Sequence, residues 1–138
     1  MDRNEPTREA PNRHADDAPR RGTHVPVVAA ILGLLFVLYA PVVGFDFLNW
    51  DDGWYVTNNE LIRSWSLENL YRVFTEPSVK NYAPLTTFSL LIDHTLWGDA
   101  AGGYHVTNLL LHAVNAVLVY ALLWRLTGSR MIAAVTAA

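Results

Sequence analysis

The chain has 138 residues, 51% hydrophobic and 17% charged, with a formal net charge of −3 and no cysteine. So weak a charge excludes a general nucleic-acid binder. The missing thiols exclude a disulfide framework and a thiolate metal site.

Residues 1–24 form the first block. They carry Arg3, Arg8, Arg13, Arg20 and Arg21 beside Asp2, Glu5, Glu9, Asp16 and Asp17, with Pro6, Pro11 and Pro19 between them. Met1 is their only large apolar residue, so too little surface can be buried to offset chain entropy. A disordered cytoplasmic tail is expected here.

Residues 25–44 carry no charge. A helix of about 20 residues spans about 30 Å, the hydrocarbon thickness of a bilayer. A cleaved signal peptide is the competing reading. The long charged leader, the length of the run and the absence of a small-x-small site in Pro41-Val42-Val43-Gly44 argue against it. A first transmembrane helix is expected, with Pro26 tolerated near its start and Pro41 kinking or ending its last turn.

Residues 45–105 form a polar, aromatic segment. Asp46, Asp51, Asp52, Glu60, Glu68, Glu76, Asp93 and Asp99 face only Arg63, Arg72 and Lys80. The arginines lie before residue 25 and again at Arg125 and Arg130. Positive charge stays inside, so the N-terminus is expected in the cytoplasm and residues 45–105 outside. The expected location is a bacterial inner membrane.

Within this loop, Ser66 can cap a helix whose Leu67, Leu70, Tyr71 and Phe74 share one face. Glu68 and Arg72 stand at i,i+4, and Pro77 ends the pattern. The helix either lies on the membrane surface or packs on its own loop. Pro84 suits the first position of a second helix, lined by Leu85, Phe88, Leu91, Ile92 and Leu96 and ending at Trp97-Gly98. It is too short to span, which leaves an interfacial, buried or re-entrant position.

Residues 106–126 form a second expected span. Residues 131–138 begin a third apolar run, too short to cross. The expectation is an N-terminal piece of a polytopic all-α membrane protein, whose external loop contains short amphipathic or interfacial helices. On the second span His105, Asn108, His112 and Asn115 fall within an arc of about 80°. Such groups face a wet cavity, or they bond neighbouring helices as structural glue. The wide spacing of the two histidines is not that of a zinc pair.

Asp51 and Asp52 follow the first span closely, between Trp50 and Trp54. A carboxylate can take the proton of an acceptor hydroxyl and assist an oxocarbenium-like transition state. A second one can raise its neighbour's pKa, bind a divalent cation or hold the acceptor, and Asp52 is the candidate for a metal. Taken alone, adjacent acids are more often a solvated turn.

Phe47-Leu48-Asn49-Trp50-Asp51-Asp52, Tyr82-Ala83-Pro84-Leu85-Thr86, Trp97-Gly98 and Gly103-Tyr104-His105-Val106-Thr107-Asn108-Leu109-Leu110-Leu111-His112 come in an order that resembles C-type (GT-C) membrane glycosyltransferases. The closest branch is the transmembrane and tetratricopeptide-repeat O-mannosyltransferases and their bacterial relatives. The resemblance runs from about Phe45 to Gly128. It implies a truncated many-helix GT-C-like fold, a polyprenyl-phosphate sugar donor, with mannose the sugar suggested by that branch, and a protein or glycan acceptor at an external site. Asp51 and Asp52 are then the catalytic acids, with Asp51 the first choice as base. Trp50, Trp54, Tyr82, Tyr104, His105, Asn108 and His112 are the substrate-binding candidates. Ala83 stands where animal members typically have Arg. Tetratricopeptide repeats would lie beyond residue 138. The alternative class is a non-catalytic membrane protein whose loop binds glycan, lipid or a partner protein, and a transporter is a third.

Overall fold

The computed structural model describes residues 23–79 and 81–138, so most of the expected tail lies outside the described residues. The helices are α1 (Val25–Tyr39), α2 (Leu67–Thr75), α3 (Pro84–Trp97), α4 (Ala101–Thr127) and α5 (Arg130–Ala137). A 3₁₀ turn extends α1 over Ala40–Gly44, a π-turn covers Gly53–Thr57, and a second 3₁₀ turn covers Glu60–Ile62. Among the described residues there is no strand, only an isolated bridge between Ser78 and Asn81.

Two helices are long and apolar enough to cross a membrane: Val25–Gly44, with 20 residues, and Ala101–Thr127, with 27. Only 11% of either apolar stretch is buried within the chain. The core helix of a soluble protein would be mostly covered; these present their apolar surface outward, as helices in lipid do. The protein is an all-α membrane protein.

Local chemistry sets the helix ends. Pro26 sits in the first turn of α1, where its missing N–H leaves no bond unmade. Pro41 cannot donate within the helix, and the last five residues of the span tighten into the 3₁₀ turn. The Ser66 hydroxyl accepts the Asn69 N–H at 3.1 Å and starts α2. Pro84 opens α3, as its position suggested. Gly98, at φ 59°, and Gly128, at φ 67°, turn the chain out of α3 and α4 in conformations that favour glycine. Because helix resumes at Ala101, Tyr104 and His105 lie on the first turns of α4.

A lower core joins Ile31 and Leu35 of α1, Ala116 and Tyr120 of α4, and Ala133 and Ala137 of α5. Alanine at these contacts lets the helix backbones approach closely. His24 accompanies this core: its Nδ1 lies 2.8 Å from the Tyr120 hydroxyl, and its ring lies 3.9 Å from that of Trp124. A second core joins Val56, Ile62, Leu91 and Tyr104, with Phe47, Tyr55, Leu70, Phe88 and Leu90 against it.

The apolar faces of α2 and α3 are rotated partly away from the core, where Leu70, Phe88 and Leu91 of the expected residues still pack. Asn69 and Val73 point inward from α2, while Leu67, Tyr71 and Phe74 are exposed. On α3 the buried residues are Thr87, Leu91 and Asp93, while Leu85, Ile92 and Leu96 are exposed. The Asn69 amide explains the first rotation, because it donates to the Leu61 and Ser64 carbonyls at 2.8 and 2.6 Å. Arg72 pairs with Glu76 at 3.0 Å, not with Glu68.

Two glycines bring the start of α4 against the chain before it. A Cβ on Gly102 would lie 2.6 Å from the Val43 carbonyl oxygen, and one on Gly103 would collide with the Trp97 side chain at its Cβ and inner indole ring. Gly103→Ala is therefore expected to cost about 1–3 kcal/mol, the usual range for overpacking. Unfolding in mixed micelles would read it. Gly33→Ala, with nothing within 4 Å, is the control and leaves stability unchanged or raised.

Candidate functional site

The acid loop is built by short-range bonds. After Gly44 the chain runs extended to Leu48, whose N–H donates to Asp52 Oδ2 at 2.8 Å. This bond fixes the direction of the Asp52 carboxylate. The Asp51 carbonyl accepts the N–H groups of Trp54 and Tyr55, both at 2.9 Å. The π-turn that follows closes on the Gly53 carbonyl, which accepts the Asn58 N–H at 3.0 Å and its Nδ2–H at 2.8 Å. Single π-turns recur at functional sites.

Arg63 clamps this turn from outside. Its Nη2 donates to the Thr57 and Val56 carbonyls at 2.7 and 3.4 Å. Its Nη1 donates to Asp99 Oδ1 at 3.0 Å and to His94 Nε2 at 2.8 Å. One side chain thus joins the acid loop, the end of α3 and the start of α4. Asn59 adds a buried brace: its Nδ2 donates to the Tyr55 carbonyl at 3.0 Å and to the Ser78 hydroxyl at 3.2 Å.

The two acids, adjacent in sequence, open on different spaces. Asp52 lines a cavity of about 290 Å³ with Tyr55, Thr86, Tyr104, His105 and Asn108. Asp51 lines an outer cleft of about 390 Å³ with Asn49, Trp50 and Trp54. A third space, about 280 Å³, shares His105 and Asn108 with the Asp52 cavity and adds Tyr39, Val42, Leu109 and His112. An apolar groove of about 770 Å³ runs between α1 and α4, from Leu32 and Phe36 to Val43 and Leu109.

Most of the candidate residues are thereby sorted. Asp52, Tyr104, His105 and Asn108 are brought together, and His112 joins them through the shared wall. Its ring stacks edge-on with Tyr39 at 5.3 Å. Asp51, Trp50 and Trp54 form a separate group. Tyr82 stands in neither, and its hydroxyl donates to the Phe74 carbonyl at 2.7 Å. Asn115 is exposed farther down α4. Among the described residues no three His, Asp or Glu side chains converge as metal ligands.

His105 holds the least satisfied atom of the site. Its Nε2 is buried and finds no hydrogen-bond partner among the described residues. Leaving such a group unpaired costs about 1–3 kcal/mol, and an orphaned polar atom on a cavity wall is one that a ligand can satisfy. Sequence reasoning missed Arg63 and Thr86. The scarcity of bases in an acidic loop was the available signal for the first; the second stands in the Tyr82–Thr86 motif, but only the fold carries α3 across to Asp52.

No family model matches the chain, and no solved structure matches it. It is similar to a protein named as a protein O-mannosyl-transferase from Caenorhabditis elegans, 28% identical over 102 residues. The match covers 67% of this chain and 14% of that protein, so the chain spans a small part of the relative's length. This supports a distant relationship to a glycosyltransferase.

Removing the clamp should loosen the acid loop. Arg63→Ala is expected to raise amide hydrogen exchange over residues 53–57 by about tenfold or more, the effect of losing one charge-assisted bond. Exchange in the lower halves of α1 and α4 should not change.

Proposed function

We propose that the chain carries the acceptor-activating acid of a membrane glycosyltransferase that moves a sugar, mannose by analogy with its relative, from a lipid phosphate to a hydroxyl. One observation carries this reading: Asp52 shares a cavity with His105 and Asn108, beside an apolar span. The carboxylate is oriented by the Leu48 N–H, as a general base must be.

In this reading the Asp52 carboxylate takes the proton of the acceptor hydroxyl. The hydroxyl oxygen bonds to the anomeric carbon as the bond from that carbon to the phosphate oxygen breaks. The lipid phosphate leaves with the electron pair, and His105 Nε2–H donates a hydrogen bond to it. The proton on Asp52 is later released to water. Asp52 replaces Asp51 as first choice for the base because Asp51 opens away from His105. The site lies on the external side, with the arginine-rich ends inside.

In the full-length protein, in membranes supplied with a polyprenyl-phosphate mannose donor, Asp52→Asn should lower transfer by about 10²–10⁴. Asn keeps an oxygen for the Leu48 N–H, so insertion should be normal. Asp51→Asn should act mainly on the KM for acceptor. Wild-type turnover by Asp52→Asn would remove the base from this residue. For orientation, a cysteine at Glu68 should react with an impermeant thiol reagent in intact cells, and one at Thr23 only after lysis. The reverse pattern would place the acids on the wrong side of the membrane.

A further inference from the structure

We infer that Asn49, Trp50, Asp51 and Trp54 form a saccharide-binding subsite, separate from the Asp52 cavity, that takes a neutral sugar ring. That this ring belongs to the acceptor rests on the transfer reading above; that it binds does not.

The inference starts from exposure. Trp50 is 82% exposed and Trp54 57%, although Trp is costly to leave in water. Both line one cleft of about 390 Å³, within the usual range for ligand sites. Asp51 and Asn49 complete the lining. The Asp51 side chain is exposed and makes no hydrogen bond among the described residues, while its backbone carbonyl is fully engaged by Trp54 and Tyr55. The backbone of the cleft is therefore fixed while the carboxylate stays open.

This set of groups matches one ligand chemistry. An indole face is electron-rich and attracts the weakly positive C–H face of a pyranose ring. A carboxylate accepts short, strong bonds from hydroxyl groups at the ring edge. An amide both donates and accepts. A phosphate would be repelled by Asp51, so a neutral sugar fits and an anionic one does not. Exposed tryptophans also anchor proteins at the head-group level. A carboxylate between them opposes that role, because seating both rings in the interface would draw Asp51 out of water.

The division also gives adjacent acids different tasks. Asp51 lines the outer cleft, while Asp52 lines the cavity shared with His105. A ring held at the outer cleft would present its chain one residue away from the base.

The test uses the whole chain in phosphatidylcholine nanodiscs, labelled with 5-fluorotryptophan. Five fluorine signals arise from Trp50, Trp54, Trp65, Trp97 and Trp124. Titration with the methyl glycosides of mannose, glucose and galactose should shift the Trp50 and Trp54 signals and leave the other three in place. Trp50→Ala should abolish the response, and Asp51→Asn should weaken it about tenfold or more, the effect of losing a charge-assisted bond. Trp65→Phe should leave it intact. No shift of Trp50 and Trp54, or an equal shift of all five, overturns the subsite. So does broadening of these two signals by head-group nitroxide lipids, which would make them membrane anchors. The readout needs neither donor nor turnover. Glycoside shifts with normal transfer by Asp52→Asn would sink the transfer reading and keep the subsite; the opposite pair of results would do the reverse.

Discussion

The close approach of α4 to the end of the first apolar helix organises the segment between them. Gly102 lies beneath the Val43 carbonyl, and Gly103 beneath Trp97. No side chain fits at either place. The segment between the two long helices therefore leaves and returns at one point, and its two ends are pinned together. That pinning puts His105 and Asn108, on the first turns of α4, beside the acids that follow α1. A bulkier residue at either glycine would separate the acids from the histidine before any catalytic group was altered.

Given that anchor, the segment between the long helices holds its shape with a small core and many polar braces. Ile62 and Leu91 are fully buried, but few large residues join them. Asn59, Asn69 and Arg63 do the rest by donating to backbone carbonyls of the turns. A buried carbonyl without a partner is costly, so these side chains also dictate which way each turn faces. The lower part works differently. There α1, α4 and α5 meet through alanines and Tyr120, and the remaining apolar surface faces outward.

Much of this was legible in the sequence, because much of it is local. The two spans, the Ser66 cap, the Pro84 start and the tightening at Pro41 depend on neighbouring residues alone. The inward faces of α2 and α3 were legible only in part: Leu70, Phe88 and Leu91 pack on the core as the pattern suggested. Leu67 and Leu85 satisfy helical periodicity, yet Asn69 and Thr87 face the interior, because the partner surface offers carbonyls and close backbone as well as apolar contact. Arg72 had acids at both i−4 and i+4, and spacing alone could not choose between them. The acid pair shows the limit most clearly. Adjacency in sequence suggested one joint site, whereas Asp51 and Asp52, just before the turn at Gly53–Thr57, line different spaces.

That separation is the central claim, and crosslinking measures it directly. The chain has no cysteine, so introduced pairs report without background. One protein would carry Asp52→Cys with Asn108→Cys, and another Asp51→Cys with Asn108→Cys, both in native membranes. A short bifunctional methanethiosulfonate should link the Asp52 pair rapidly and leave the Asp51 pair open. Equal linking of both pairs, or preferential linking from position 51, would contradict the account.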